Sequence, residues 1–86
     1  MPFVSIFFGI IIKMFHKEHN PPHFHAEYQG QRGMFDFSGE MVKGNITSRT
    51  AKSLIKQWAV LHQVELNENW DKAAQSKPLD RIAPLD

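Results

Sequence analysis

Four of the chain's five histidines fall within residues 16–25, in the run HKEHNPPHFHAEY that spans residues 16–28. Imidazole can exchange a proton near neutral pH, ligate a divalent metal, or hydrogen-bond backbone carbonyls. His23 and His25 are two apart, so on an extended backbone both rings leave the same face, about 6.5–7 Å apart at Cα. Such a pair offers two nitrogen ligands to a metal such as zinc, nickel or manganese. His16, His19 or Glu27 can complete a tetrahedral or facial site with one position open. Without a metal, one neutral and one protonated ring can act as base and acid, as RNA cleavage by 2′-OH attack requires. His23 and His25 are then the central pair, with His16 or His19 as a third proton donor. Lys13 and Arg32 would offset phosphate charge, and Phe24 or Tyr28 would stack a base. The structural alternative is a rigid Pro21-Pro22 turn in which the rings cap carbonyls or meet Glu18 and Glu27. The residues leave all three readings open.

The elements that must position these rings can be read from periodicity. Residues 5–15 are rich in β-branched and aromatic side chains and read as one strand buried on both faces. Pro21-Pro22 breaks the chain into a loop. Residues 23–29 then alternate strictly, with Phe24, Ala26 and Tyr28 on one face and His23, His25 and Glu27 on the other. A turn at Gln29-Gly30-Gln31 leads to a third strand over 32–38, paired back as a hairpin, and Met41-Val42-Lys43 makes a short fourth.

From Thr47 the period becomes helical, with Ile46 just before a Thr/Ser cap. Ala51, Leu54, Ile55, Trp58 and Leu61 form an apolar stripe, which assigns Trp58 and, farther on, Trp70 to the core. A single helix over residues 48–75 would run about 42 Å at about 1.5 Å per residue, against a radius of gyration near 12 Å for a domain of this length. A break between Leu61 and Glu65 is therefore expected, with His62 hydrogen-bonded beside it. Val60 and Val64 project from the opposite side, as in a subunit or partner contact. Residues 76–86 are too proline-rich for helix and lie along the domain through Leu79, Ile82 and Leu85. The fold class is α+β: one domain over residues 1–86, with an antiparallel sheet of three to four strands. A long kinked helix or a two-helix hairpin packs on one face.

Composition sets outer bounds. Apolar content of 42% and charged content of 22% are those of a folded globular chain. A net charge of +1 gives no strong overall field toward nucleic acid or anionic lipid. There is no cysteine, which removes thiolate sites and fits the reducing cytoplasm. The apolar N-terminal run ends at Lys13, short of the roughly 20 residues a membrane span needs, and lacks a basic leader.

The segments GIIIKMF, HNPPHFHAEY, WAVLHQVELNENW and PLDRIAPL together resemble the small prokaryotic family called domain of unknown function 4160 over nearly the whole chain. The most specific element is His19 to Ala26. Next come Trp58-Ala59, His62, Glu65-Leu66 and Asn69-Trp70. In the family's Gly-x-Leu-Pro-x-Arg segment, Gly44, Ile46 and Arg49 match, while Thr47 replaces the proline. The resemblance implies no assigned chemistry. It does imply a neighbouring gene for a protein of the domain of unknown function 2442 type, an arrangement like a toxin–antitoxin pair. The combined expectation is a toxin-like component acting on RNA or another cellular target as a nuclease-like hydrolase, alone or as a homo-oligomer. A non-enzymatic binding module and a metal-binding protein are the alternatives.

Overall fold

The computed structural model describes residues 3–86. Five strands form one antiparallel meander in the order β1-β2-β3-β4-β5. They are β1 (Phe3–Phe7), β2 (Ile10–Lys13), β3 (His23–Tyr28), β4 (Gln31–Asp36) and β5 (Met41–Gly44). Two helices follow, α1 (Arg49–Leu61) and α2 (Gln63–Ala74). The α+β class stands, with five strands instead of three or four.

The extra strand comes from the first apolar run. It is a hairpin, not one strand over 5–15, because Phe8 and Gly9 both take positive φ, 50° and 78°. That pair makes the two-residue turn whose twist suits a hairpin, and Phe7 pairs directly with Ile10. Gln29 and Gly30 repeat the device, with φ 48° and 79°, between Tyr28 and Gln31.

Alternation along β2, β3 and β4 sends Ile10, Ile12, Phe24, Ala26 and Phe35 to one face, all fully buried. The helices cover that face. Trp58 stacks on Phe7 at 5.6 Å between centroids and meets Phe24 edge-on at 5.5 Å. Ile55, Ala59 and Leu66 complete the same core. Leu61 does not join it: at the end of α1 it is 66% exposed, beside Val60 and Val64. The stripe ends one turn early because the helix itself ends there. Gly39 brings the β4–β5 turn onto α1: its φ is 90°, and a Cβ would sit 2.6 Å from Lys56 Cα.

Ser48 caps α1 by accepting from Ala51 N–H at 3.1 Å. The helical run then breaks at His62, whose N–H still reaches the carbonyls of Trp58 and Ala59. His62 Nδ1 lies 2.9 Å from Glu65 Oε2, and this contact holds the Glu65 carboxyl below its ordinary range. An unbroken helix would exceed the 34 Å long dimension of the fold. The tail is tied down in three places. Asn69, fully buried in α2, bonds both the N–H and the carbonyl of Asp80. Trp58 Nε1 donates to Ala83 O at 2.9 Å, and Ile82 N–H donates to Val4 O on the edge strand β1. Among the described residues, no helix is long and apolar enough to cross a membrane.

Candidate functional site

The sheet face turned away from the helices carries the polar residues. By register, Lys13, His25, Met34 and Lys43 form one row across four strands. Glu27 opposite Arg32 forms the next row on one side, and His23 opposite Asp36 forms that on the other. The alternation read from HFHAEY is therefore the alternation of the folded strand.

The loop from Met14 to Pro22 folds back over the His23 end of this face. Two contacts anchor it to the end of the helical layer. His16 Nε2 lies 2.8 Å from Lys77 O, and Lys17 N–H donates to Ala73 O. The Asn20–Pro21 bond is cis. Glu18 lies against β3, where its Oε1 contacts His25 Nε2 and lies 3.3 Å from His23 Nε2. One ligand atom from each of Glu18, His23 and His25 falls within 4.8 Å of the others.

The rings are held from behind. His23 Nδ1–H donates to Pro21 O at 2.8 Å, since a carbonyl can only accept. The His23 ring meets Trp70 edge-on at 5.2 Å and His25 at 5.1 Å, and Phe15 packs on His25 at 4.9 Å. His23 is 7% exposed, and among the described residues its Nε2 has no hydrogen-bond partner. Its separation from Glu18 Oε1 is short, yet no hydrogen bond spans it.

Two clefts open on this face, one on each side of Met34. The first, about 330 Å³, is lined by Glu18, His19, Pro22, His23, Asp36 and Val42 among others. The second, about 270 Å³, is lined by Lys13, Phe15, His25, Glu27, Arg32 and Lys43 among others. His25 lines the second cleft and also contacts Glu18.

Of the residues singled out by sequence, His23 and His25 come together. His19 stays exposed on the rim of the first cleft. His16 is turned away, onto Lys77. Glu27 leaves the histidines for Lys13, whose Nζ bonds it at 2.7 Å, with Arg32 Nε at 4.0 Å. The Lys13 bond above all holds the Glu27 carboxyl below its ordinary range. Phe24 cannot stack a base, because it is fully buried in the core, and Tyr28 packs against the same core. The residue that completes the cluster is Glu18, for which strand alternation gives no signal. The usable clue was its chemistry: a carboxylate in the loop ahead of two strand histidines.

The chain is thus a small α+β protein whose five-stranded meander carries a two-histidine, one-carboxylate cluster on its open face. The sequence profile of the family described as domain of unknown function (DUF4160) matches residues 9–71, and the chain belongs to that family. No curated protein and no solved structure matches it.

Proposed function

We propose that the protein binds a divalent metal through Glu18, His23 and His25, and that this centre is hydrolytic. One observation carries the reading. Because His23 Nδ1–H is committed to Pro21 O, the neutral ring presents a lone pair at Nε2. That lone pair is buried and has no donor among the described residues, and a carboxylate oxygen lies 3.3 Å away, outside hydrogen-bond alignment. Two acceptors stand close together, and a cation held between them would satisfy both. Metal-ligating histidines ordinarily donate their other ring N–H to a carbonyl, which fixes the tautomer as Pro21 does here. In a tetrahedral zinc site with ligands about 2.0–2.1 Å from the metal, donor atoms stand about 3.3 Å apart; His23 and Glu18 have this spacing, while His25 and Glu18, in direct contact, would part to admit the ion.

A divalent cation held by Glu18, His23 and His25 would activate a water as nucleophile at neutral pH. The chain's own residues set the rest. Met34 and Pro22 line the open side, and His19 on the same rim would serve as proton donor to a leaving group. Directed at RNA, this centre would serve the toxin-like role that the sequence suggests, with a cognate protein partner masking it.

The bracing contacts of His16 on Lys77 O and His23 on Pro21 O favour a second reading, a non-enzymatic binding module whose histidines fix the loop. Metal content separates the two. Protein purified without a polyhistidine tag is expected to hold stoichiometric metal, or to take up zinc, nickel or manganese. The His23→Ala and His25→Ala variants should lose that uptake while His16→Ala keeps it. No uptake by the unaltered protein, with melting lowered in all three variants, would leave only the bracing role.

A further inference from the structure

We infer that the second cleft is a phosphodiester subsite for single-stranded nucleic acid, lying against the metal centre; this rests on the reading above for the reaction, though not for binding. The cleft gathers Lys13, Arg32 and Lys43 around a single carboxylate, Glu27. Glu27 is held ionised by Lys13, so the four groups together carry about two positive charges. The whole chain nets only +1, and this one cleft therefore concentrates more positive charge than the molecule shows overall. Lys43 enters none of the ion pairs among the described residues, and the Arg32 side chain is 81% exposed with only a 4.0 Å approach to Glu27. Those two cations are available to a ligand.

Shape and neighbours narrow the ligand's chemistry. Gly33 and Gly44, which offer only backbone atoms, line part of the cleft between these side chains. A volume of about 270 Å³ lies just below the range of about 300–1,000 Å³ usual for whole-ligand sites. It suits one nucleotide unit at a time, with the remaining strand outside. Phe15, half-buried and packed on His25, offers a ring edge to a sugar or base, where fully buried Phe24 offers none. A phosphate held by Lys43 and Arg32 lies beside the row in which Lys43 stands two strand spacings from His25, the ring that contacts Glu18. Hydrolysis of such a diester bonds a water oxygen to phosphorus and breaks the bond from phosphorus to one sugar oxygen. One proton passes from the water to that leaving oxygen, with no change in oxidation state.

The test is fluorescence anisotropy with labelled oligouridylate and oligothymidylate of about ten nucleotides, on the full chain, with zinc and with chelator. Two phosphate contacts predict a slope of log affinity on log salt of about −1.4. This means binding about sevenfold weaker at about 200 mM than at about 50 mM salt. The Arg32→Ala/Lys43→Ala double variant, altered only at exposed positions, should flatten that slope and bind at least tenfold more weakly. Its melting temperature and metal content should be unchanged. Binding of either strand with this behaviour supports the subsite, and the ratio between the two reports the preferred sugar. The subsite is overturned if neither strand binds, if the double variant keeps the slope, or if an oligoglutamate of equal length competes as well. Strand binding by a protein that takes up no metal would overturn the metal centre and leave the subsite standing. Metal uptake without strand binding would do the reverse.

Discussion

Glutamine in place of Glu18 separates a metal ligand from a structural anion, because the two roles predict opposite results. In the metal-free protein, His23 Nε2 is a buried acceptor without a donor. Such a group costs about 1–3 kcal/mol. A glutamine amide nitrogen near the place of Glu18 Oε1 carries two hydrogens and, after a small shift toward His23, gives one to each ring nitrogen. In chelator, Glu18→Gln should therefore melt at or above the unaltered protein, with a gain of up to about 1 kcal/mol. For a domain of this size that is about 4–8 °C. With metal the order reverses. At a concentration about 100 times Kd, the unaltered protein gains about 2.7 kcal/mol, a rise of roughly 11–22 °C. Loss of the charged ligand should weaken binding at least about 100-fold, the upper end of what losing even an outer partner costs. The same concentration then gives about 0.4 kcal/mol, or roughly 2–3 °C. Differential scanning calorimetry of both proteins, in chelator and with zinc, nickel or manganese, reads all four quantities. The reasoning is refuted if Glu18→Gln melts lower in chelator and the unaltered protein shows no shift with any of the metals. Glu18 would then be a counter-ion to protonated rings.

Two further outcomes follow from contacts outside the cluster. Asn69→Ala removes both bonds to Asp80, about 1 kcal/mol each, so melting should fall by roughly 8–16 °C. Limited trypsin digestion should then cut after Arg81 faster than in the unaltered protein, and an unchanged cleavage rate would dismiss Asn69 as the tail's clamp. The Asp36 carboxylate accepts from the Ser38 hydroxyl at 2.6 Å and from the N–H groups of Ser38 and Glu40. The Ser38 hydroxyl above all holds it below its ordinary range. Its contribution to stability is complete above the unfolded value near 3.9 and is lost as pH falls through the lowered folded value. Asp36→Asn should thus melt lower than the unaltered protein at pH 7, with the gap closing below about pH 4; a constant gap down to about pH 2 would contradict this.

Local rules carried some of this fold and missed the rest for identifiable reasons. The alternation in HFHAEY is enforced by the pleat, so the division of Phe24 and Ala26 from His23 and His25 was legible. So was the helix break, since length alone excluded a single rod. The β1–β2 hairpin was hidden because an unbroken apolar run looks like one strand, and phenylalanine seldom occupies the left-handed position that Phe8 takes. Gly9 was the available clue, since Gly30 does the same work after Gln29. Leu66, Asn69 and Ala73 fall at helical spacing, so an inward-facing asparagine was predictable, but its partner Asp80 was not. Glu18 and His16 illustrate the harder case. Their partners are chosen by how a loop closes over a sheet, and the contact between His16 and Lys77 spans 61 residues. No periodicity reports on such pairs.

The arrangement along β3 explains why metal chemistry and phosphate binding would meet on this surface. A strand's outward residues repeat every second position, so three consecutive ones define a line. His23 ends that line beneath the folded loop, where Pro21 and Glu18 fix its ring. Glu27 ends it at the other side, where Lys13 and Arg32 gather. His25 stands between, with Nε2 on Glu18 and its ring lining the basic cleft. Strands lie about 4.8 Å apart, so Lys13 and Lys43 in the same row stand one and two strand spacings from it. A single imidazole is therefore common to both proposed sites, and the pleat of one six-residue strand is enough to bring their residues together.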